Sequence, residues 1–316
     1  MDNSGYSKKM ISVVIPCFNE SGNIPMLYSE LSSILTPFSH EYIFVDDGSS
    51  DETLKTIKLL AKDDSQVKYL SFSRNFGQQS ALLAGMRYAT GDAVITMDAD
   101  LQHPATLIPL LIKKWNEGFE VVNTMRLDTD NGIGFFKRLS SKAFYRLMNY
   151  VTDLGMSDGC ADFRLLDGKI VEIIRQSKES DIFIRGLIKW YGFKQAEITY
   201  HAERRQSGET KYTLKRMVLF SLNGLTAFSI RPLRLSIVLS ALLSILCSME
   251  IIYALYTLLV KGTAVSGWTS IVILISIIGA MTLLMLGIIG EYVGRTFMQG
   301  KGRPAYIVSE TNLAAS

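Results

Sequence analysis

The sequence predicts an α/β domain with a mainly parallel sheet, followed by interfacial helices and a two-helix transmembrane hairpin. Two observations support this fold class. Short apolar, β-branched runs alternate with gaps that can each hold a helix up to about residue 124, and two long apolar stretches lie nearer the carboxyl end. Strands that alternate with helices form parallel βαβ units.

Four segments are expected along the 316 residues. Residues 1–213 form the α/β domain, residues 214–233 an interfacial amphipathic helix, residues 234–294 the transmembrane pair, and residues 295–316 a cytoplasmic tail. Within the first segment, residues 133–154 carry apolar side chains at helical spacing with basic residues between them. This pattern fits either a helix on the membrane surface or an ordinary helix packed on the sheet.

Five strand-like runs define the predicted sheet, and they are Ile11–Pro16, Tyr42–Val45, Val67–Phe72, Ala93–Met97 and Phe119–Asn123. The residues Ser49–Glu52 match a capping box, which predicts a helix that starts there and runs toward Ala61. No GxGxxG turn follows the first strand, and this argues against a dinucleotide oxidoreductase.

The apolar stretches Leu235–Val260 and Trp268–Gly290 each exceed the roughly 20 residues that cross a bilayer core. Only Glu250 and Lys261 are charged within this region, and Glu250 is expected to pack near the outer interface. Basic residues are concentrated beyond the two outer ends of the pair, so both ends should face the cytoplasm. We therefore expect a multi-pass protein of the inner (plasma) membrane, with its α/β domain and both termini cytoplasmic.

Composition narrows the class of protein. The formal net charge is only +3 at pH 7, which gives no case for a nucleic-acid partner. The three cysteines are far apart and odd in number, which fits free thiols better than a disulfide framework. The first ten residues are polar and the apolar run after them is short, so no secretory signal peptide is expected.

A pair of carboxylates follows the fourth strand-like run. Asp98 and Asp100 are spaced i and i+2 within VITMDADLQHP. Ligands of open α/β sheets bind beyond the carboxyl ends of strands, and two such acids favour Mg²⁺ or Mn²⁺ with a substrate phosphate. The alternative is a turn-capping Asp98 beside a solvated Asp100, which is the more common meaning of an isolated DxD.

Further acids follow the first two strands, which would bring them to the same edge of the sheet. Glu20 follows the first strand, and Asp46 and Asp47 follow the second. An acid at the end of a βα unit can bind ribose hydroxyls or a base edge. Asp46 precedes a turn and is expected to be structural, so Asp47 is the better candidate for a ligand contact.

Four motifs in order, VVIPCFNE, VDDGSSDE, SRNFGQQSALLAG and MDADLQHP, resemble the nucleotide-sugar domain of family 2 glycosyltransferases, which has the Rossmann-like GT-A fold. GCADFRLLD, HAERRQSGETKY and the two-helix tail are similar to the polyprenyl-phosphate glycosyltransferases of that family. This group includes dolichol-phosphate mannose synthases, bacterial bactoprenol glucosyltransferases and aminoarabinose transferases. The resemblance covers nearly the whole chain.

The resemblance implies a role for each matching residue. The nucleotide and donor sugar would be bound by Pro16, Phe18, Glu20, Asp47, Arg74, Asp98, Arg205 and Lys211. The metal, Mg²⁺ or Mn²⁺, would be held by Asp98, Asp100 and Gln102. The acceptor phosphate would be held by Arg126, Lys137, Ser141 and Arg164. The catalytic residues would be Asp162 and Asp100.

Two of these residues keep more than one role, and one further position departs from the family pattern. Asp162 resembles the family's acid near the acceptor phosphate, usually discussed as a base, but a phosphate monoester with a second pKa near ~6 needs little deprotonation. The alternative is that Asp162 orients the phosphate or a neighbouring cation. Arg74 can meet the donor or pair with an acid of the cleft. His103 stands where the family often has an acid, and we interpret it as the cap of a helix that begins at Pro104.

The resemblance implies an inverting transfer of a sugar from a UDP- or GDP-linked donor to undecaprenyl or dolichyl phosphate, at the cytoplasmic face of the lipid bilayer. A homotetramer held by the hairpin is one assembly that it allows. The motifs resemble branches of the family that transfer different sugars, so the resemblance does not identify the sugar. Two alternatives are a processive polysaccharide synthase, whose QxxRW motif is absent from the sequence, and a non-catalytic membrane scaffold that binds nucleotide sugar.

Overall fold

The structure, a computed structural model, describes residues 9–127, 160–177, 183–201, 229–261 and 267–313. Most of both predicted interfacial helices lies outside these ranges. Four predicted site residues also lie outside them: Lys137, Ser141, Arg205 and Lys211.

The described residues form two compact units. The first contains the described residues up to 201 together with residues 303–313, and the second contains the described residues from 229 to 302. The predicted end of the α/β domain at residue 213 lies outside the described residues and stays a prediction. Residues 303–313 follow the helix pair in sequence and belong to the first unit.

One eight-stranded sheet runs through the described part of the first unit, in the order β7-β5-β6-β4-β1-β2-β3-β8. Its strands are β1 (Met10–Cys17), β2 (Ser39–Asp46), β3 (Val67–Phe72), β4 (Ala93–Thr96), β5 (Val121–Leu127), β6 (Cys160–Asp167), β7 (Gln195–His201) and β8 (Val308–Thr311). β1 pairs in parallel with β2 and β4, and β2 pairs in parallel with β3. β6 is antiparallel to both β4 and β5, and β8 is antiparallel to β3.

Helices connect and cover these strands. They are α1 (Ile24–Leu35), α2 (Thr53–Asp63), α3 (Gln78–Tyr88), α4 (Ile108–Asn116), α5 (Gly168–Gln176) and α6 (Ile184–Trp190), with a 3₁₀ turn at Ala105–Leu107 before α4. The predicted α/β class with a mainly parallel sheet is confirmed. The three strands that the sequence patterns did not predict are β6, β7 and β8.

The predicted capping box at Ser49–Glu52 is wrong. α2 begins at Thr53, and Glu52 precedes it without a side-chain capping bond. The Ser49 hydroxyl instead accepts a hydrogen bond from the backbone N–H of Asn19 at 3.0 Å. Ser49 therefore joins two loops and does not start a helix.

Apolar side chains at helical spacing bury α1 against the sheet. Ile24, Leu27, Leu31 and Leu35 are all fully buried. Full burial of one such side chain stabilises the fold by about 1.5–3 kcal/mol before entropy is counted. β1 is buried from Ile11 to its end, as expected for a strand covered on both faces.

The second unit contains two long helices, α7 (Arg231–Lys261) and α8 (Trp268–Gly300). The segments Ser236–Val260 and Ile273–Gly300 are long and apolar enough to cross a membrane. α8 continues past the predicted end at residue 290. The Tyr292 hydroxyl donates to the carbonyl of Ser229 at 2.6 Å and ties the two ends of this unit together.

One glycine of α3 determines how closely that helix packs on β1. A Cβ atom on Gly85 would overlap Cγ1 of Val14, a fully buried residue of β1. Overpacking of this kind forces side chains out of their rotamers or shifts the backbone.

We expect Gly85→Ala to lower the free energy of unfolding by about 1–3 kcal/mol, because the added methyl group displaces α3 from β1. Thermal unfolding of purified protein, followed by circular dichroism, would measure the loss. Gly22→Ala is the matched control, because a Cβ at Gly22 meets no atom within 4 Å. Equal melting temperatures for the two variants would contradict the predicted packing.

Candidate active site

The loops after β1 and β2 are joined by a set of hydrogen bonds that builds one side of the site. Asn19 has a φ of 57° and accepts from the backbone N–H of Ser50 at 2.9 Å. Asn tolerates this left-handed conformation better than most residues. The backbone N–H of Glu20 donates to the Thr53 hydroxyl at 2.8 Å, and that of Asp47 donates to the carbonyl of Cys17 at 2.9 Å. The two acid-bearing loops therefore form one surface.

The negative charges of the predicted metal ligands act on Glu20. Burial raises the pKa of Glu20, a hydrogen bond from Asn23 opposes the rise, and the charges of Asp100, Asp51 and Asp98 add to it. Asn23 Nδ2 lies 2.6 Å from Glu20 Oε2. Since β1 pairs in parallel with both β2 and β4, the loops that carry Glu20 and the Asp98–Asp100 pair follow strand ends at the same edge of the sheet.

Asp98 is held from two sides. Gln78, the first residue of α3, donates from Nε2 to Asp98 Oδ1 at 2.6 Å. His103 Nε2 lies 3.3 Å from Asp98 Oδ2, and His103 Nδ1 lies 2.7 Å from the hydroxyl of Tyr200. Burial raises the pKa of Tyr200 to about 12, so its hydroxyl stays protonated at neutral pH. An ionised carboxylate only accepts hydrogen bonds, so Nε2 is the donor in the contact with Asp98.

The interpretation of His103 as a helix cap is therefore wrong. The 3₁₀ turn after it begins at Ala105, with Pro104 at the capping position and no side-chain capping bond. The ring of His103 lies between Tyr200 of β7 and Asp98 instead. β7 is one of the strands that the sequence patterns did not predict, which is why this partner was not foreseen.

A sharp turn follows Asp100. Leu101 has a φ of 58°, which is uncommon for a residue other than glycine, and the backbone N–H of Gln102 donates to Asp100 Oδ1 at 3.2 Å. Gln102 is buried, and its Oε1 accepts from Arg126 Nη1 at 3.1 Å. Arg126, a predicted acceptor-phosphate residue, is thereby brought beside the predicted metal motif.

Asp46 and Asp47 have different partners. Asp46 accepts from the backbone N–H of Ser49 at 3.1 Å and from the hydroxyl of Ser71 at 2.9 Å, which is a structural role. Asp47 accepts from the backbone N–H groups of Phe76 at 2.6 Å and Gly77 at 2.9 Å. Burial raises the pKa of Asp47, and these two hydrogen bonds oppose the rise. Asp47 therefore fixes the loop before α3.

Arg74 lies on the same loop. Its guanidinium lies 4.1 Å from the ring centroid of Phe76, and its Nη1 donates to the carbonyl of Asn75 at 3.0 Å. Within the described residues these contacts are to a ring and a backbone oxygen, so pairing with an acid of the cleft is not observed.

Two further residues were predicted to contact the nucleoside. Phe18 is exposed and Pro16 is buried in β1. Their predicted contacts with the nucleoside stay predictions.

Asp162 is the most tightly paired acid of the site. Arg185 donates to it through Nε at 2.7 Å and through Nη2 at 2.8 Å, and Arg164 Nη2 lies 3.3 Å from Oδ1. Burial alone would raise the pKa of Asp162, but Arg185 and Arg164 hold it below its usual range. Arg164 is itself buried, with 3% of its side chain exposed. Arg164 contacts Asp162 in the structure, and its predicted contact with the acceptor phosphate stays a prediction.

Arg185 was not predicted as a site residue. The only sequence signal is a single cation inside the apolar run IFIRGLI, which is not distinctive without a structure. The pairing with Asp162 becomes visible only when α6 and β6 are placed side by side.

The chemistry of the acid pair fits a hard divalent cation. Asp98 and Asp100 follow β4 two residues apart, and among the described residues no group of three or more His, Cys, Asp and Glu side chains could hold a metal ion. Mg²⁺ commonly uses one or two carboxylates together with water and substrate phosphates. Two acids are therefore enough for a cation that a diphosphate would complete. The Gln102 oxygen faces Arg126, so its predicted metal contact stays a prediction.

The chain is similar to known proteins over nearly all of its length. Residues 12–174 match the family model described as glycosyl transferase family 2. The uncharacterized glycosyltransferase YkcC of Bacillus subtilis (strain 168) is 40% identical over 302 residues, which cover 95% of this chain and 93% of YkcC. The prophage bactoprenol glucosyl transferase homolog of Escherichia coli (strain K12) is 37% identical over 303 residues, which cover 94% of this chain and 98% of that homolog.

A solved structure shares the fold. Glucosyl-3-phosphoglycerate synthase from Mycobacterium tuberculosis, crystallised with Mn²⁺, uridine diphosphate and phosphoglyceric acid, superposes with a TM-score of 0.50 at 17% identity. The superposition covers 69% of this chain and 77% of that structure. The chain therefore belongs to glycosyl transferase family 2 and is a glycosyltransferase with a GT-A-like domain.

Proposed function

We propose that this glycosyltransferase transfers a sugar from a nucleotide-diphosphate sugar to a polyprenyl phosphate at the cytoplasmic face of a membrane, with inversion at the anomeric carbon. The observation that carries the proposal is the acidic edge around Asp98 and Asp100 in a chain that also contains two membrane-length apolar helices. A relative of almost the same length is named a bactoprenol glucosyl transferase homolog. Glucose is therefore the first sugar to test.

The reaction would be a single displacement. A phosphate oxygen of the acceptor forms a bond to the anomeric carbon, and the bond from that carbon to the nucleoside diphosphate breaks. Asp98 and Asp100 would hold a divalent cation, Mg²⁺ or Mn²⁺, which neutralises charge on the diphosphate. The chain's own task is to bind both substrates in line and to keep Asp98 oriented through Gln78 and His103.

The position of β8 supports a hairpin in which both ends of the helix pair lie on the same face of the membrane. The α/β domain precedes α7 in sequence, and β8, which follows α8, hydrogen-bonds to β3 of that domain. If both helices cross the bilayer, residues 303–313 and the α/β domain lie on one face. We propose the cytoplasmic face, because basic residues are concentrated at that end of the helices. A homotetramer stays a prediction.

The proposed reaction predicts a lipid-linked product. Purified protein in detergent, given Mg²⁺ or Mn²⁺, undecaprenyl phosphate and a panel of radiolabelled nucleotide sugars that starts with UDP-glucose, should form an organic-soluble labelled product. Thin-layer chromatography would detect it, and the anomeric configuration by NMR would show inversion. Failure to form any lipid-linked sugar with every donor and both metals would disprove the reaction.

The acid pair predicts a metal-dependent loss of function. Asp100→Asn should lower kcat/KM by about 10²-fold or more, because the cation that stabilises the departing diphosphate is held less tightly. Weaker Mg²⁺-dependent binding of UDP, measured by calorimetry, should accompany the loss. Glu117→Gln is a matched control, since this exposed acid pairs with Lys114 outside the site. An Asp100→Asn variant with wild-type UDP binding and turnover would contradict the assignment.

The hairpin topology predicts which positions an impermeant thiol reagent can reach. Cysteines introduced at Lys62 and Glu310, on α2 and β8, should be labelled only after cells are permeabilised. A cysteine at Thr263, between the two helices, should be labelled on intact cells. The wild-type protein gives the background labelling. Labelling of Glu310→Cys on intact cells would contradict the proposed orientation.

A further inference from the structure

The pairing of Asp162 with Arg185 gives this acid a different role from that of a base. The guanidinium binds both oxygens of the carboxylate, at 2.7 Å and 2.8 Å, and Arg164 adds a third contact at 3.3 Å. Only 4% of the Asp162 side chain is exposed, whereas 31% of the Arg185 side chain is exposed. The carboxylate is therefore inside the protein, and the cation at its outer side reaches the surface.

Contacts made by Asp162 and by Ile184, the neighbours of Arg185 in space and in sequence, place Arg185 near the sheet edge that carries Asp98. The backbone carbonyl of Asp162 accepts from the hydroxyl of Thr96, the last residue of β4 and two residues before Asp98. The backbone N–H of Ile184, the residue before Arg185, donates to Gln79 Oε1 at 3.2 Å. Gln79 follows Gln78, whose side chain binds Asp98. The amino end of α6 is thus hydrogen-bonded to the first turn of α3, and Asp162, which binds Arg185, is hydrogen-bonded to the last residue of β4.

The chemistry of the acceptor removes the need for a base at Asp162. A phosphate monoester has a second pKa near ~6, so its oxygens are already largely deprotonated at neutral pH. Among the described residues, the charged or titratable groups that act on Asp162 are Arg185 of α6, Arg164 of β6 and His103 of the loop after β4. A carboxylate that accepts two hydrogen bonds from a guanidinium is a weak base, and the pKa of Asp162 is accordingly lowered.

We propose that Asp162 is a positioning residue that orients Arg185, and that the Arg185 guanidinium binds a phosphate group of a substrate. The planar guanidinium suits this task, because it can hold a carboxylate on one side and present N–H donors to a phosphate. Both substrates of the proposed sugar transfer carry phosphate, and the inference rests on that proposed function. Arg185 would bind either the phosphate of the acceptor or the diphosphate of the donor.

Four variants test the inference: Arg185→Gln, Arg185→Lys, Asp162→Asn and the double variant Asp162→Asn/Arg185→Gln. Lys189→Gln, in the last turn of the same helix, is the matched control. The measurements are KM and kcat for each substrate, the pH dependence of kcat, and the melting temperature of each variant. Calorimetric Kd values for UDP with Mg²⁺ and for farnesyl phosphate in detergent micelles provide a readout that needs no turnover.

We expect Arg185→Gln to raise KM and Kd for one phosphate ligand by roughly tenfold to hundredfold, the effect of losing a hydrogen bond to a charged group. An effect on farnesyl phosphate identifies the acceptor phosphate, and an effect on UDP identifies the donor diphosphate. Arg185→Lys should recover part of the loss. Asp162→Asn should raise the Kd for the same ligand. The Kd of the double variant should not exceed that of the weaker-binding single variant, because the two residues act as one unit.

The alternative role for Asp162 gives different results. If Asp162 is a general base, Asp162→Asn lowers kcat at saturating substrates by about 10²–10⁴-fold and abolishes the acid limb of the pH profile. If it orients Arg185, the acid limb near the second phosphate pKa is retained in Asp162→Asn. Loss of that limb, or Kd values for both ligands within about twofold of wild type in Arg185→Gln, would overturn the inference.

Failure of the inference is separable from failure of the proposed function. A wild-type protein that makes no lipid-linked sugar disproves the function, and the Kd values then decide the role of Arg185 by themselves. If Arg185→Gln melts too low to be measured, Arg185→Lys keeps the charge and supplies the same comparison. An Arg185→Lys variant with wild-type Kd for both ligands, beside an Asp162→Asn variant that also binds normally, contradicts the proposal.

Discussion

Repulsion between carboxylates at one edge of the sheet is the constraint on which the site depends. Three of these acids contact a nitrogen of another side chain: Asp98 contacts Gln78 and His103, Glu20 contacts Asn23, and Asp162 contacts Arg185. Asn23 and His103 are close in sequence to the acids that they contact, whereas Gln78 and Arg185 come from the helices α3 and α6, so the site also requires that these two helices pack at the edge of the sheet. A cation and a diphosphate would complete the charge balance, which couples substrate binding to the stability of the edge.

Much of the fold follows from local sequence. The first four strand-like runs are buried parallel strands, and the apolar segments at the carboxyl end are two long helices. Each of these signals is contained within one segment, because a strand covered on both faces and a helix long enough to cross a bilayer both consist of continuous apolar residues. The acid pair at Asp98 and Asp100 could be predicted for the same reason, since it follows directly from the end of a buried strand.

The missed features depend on contacts between distant segments. The partner of His103 is Tyr200, and the partner of Asp162 is Arg185, neither of which has a distinctive local pattern. The helix cap predicted at Ser49 failed because the hydroxyl binds the backbone of Asn19 in another loop. Residue types and spacing therefore located the acids but could not show which of them are exposed to ligand and which are enclosed by cations.

The strand β8 makes the α/β domain discontinuous, with the helix pair inserted between its parts. Beyond the backbone pairing with β3, Tyr306 stacks on Phe72 with ring centroids 5.1 Å apart, and Lys58 and Glu310 form an ion pair at 2.6 Å. A chain that ends before α7 would leave the edge of β3 unpaired, and bare strand edges promote aggregation. A soluble form of the domain would therefore need residues 303–313 rejoined by a flexible linker in place of the two helices.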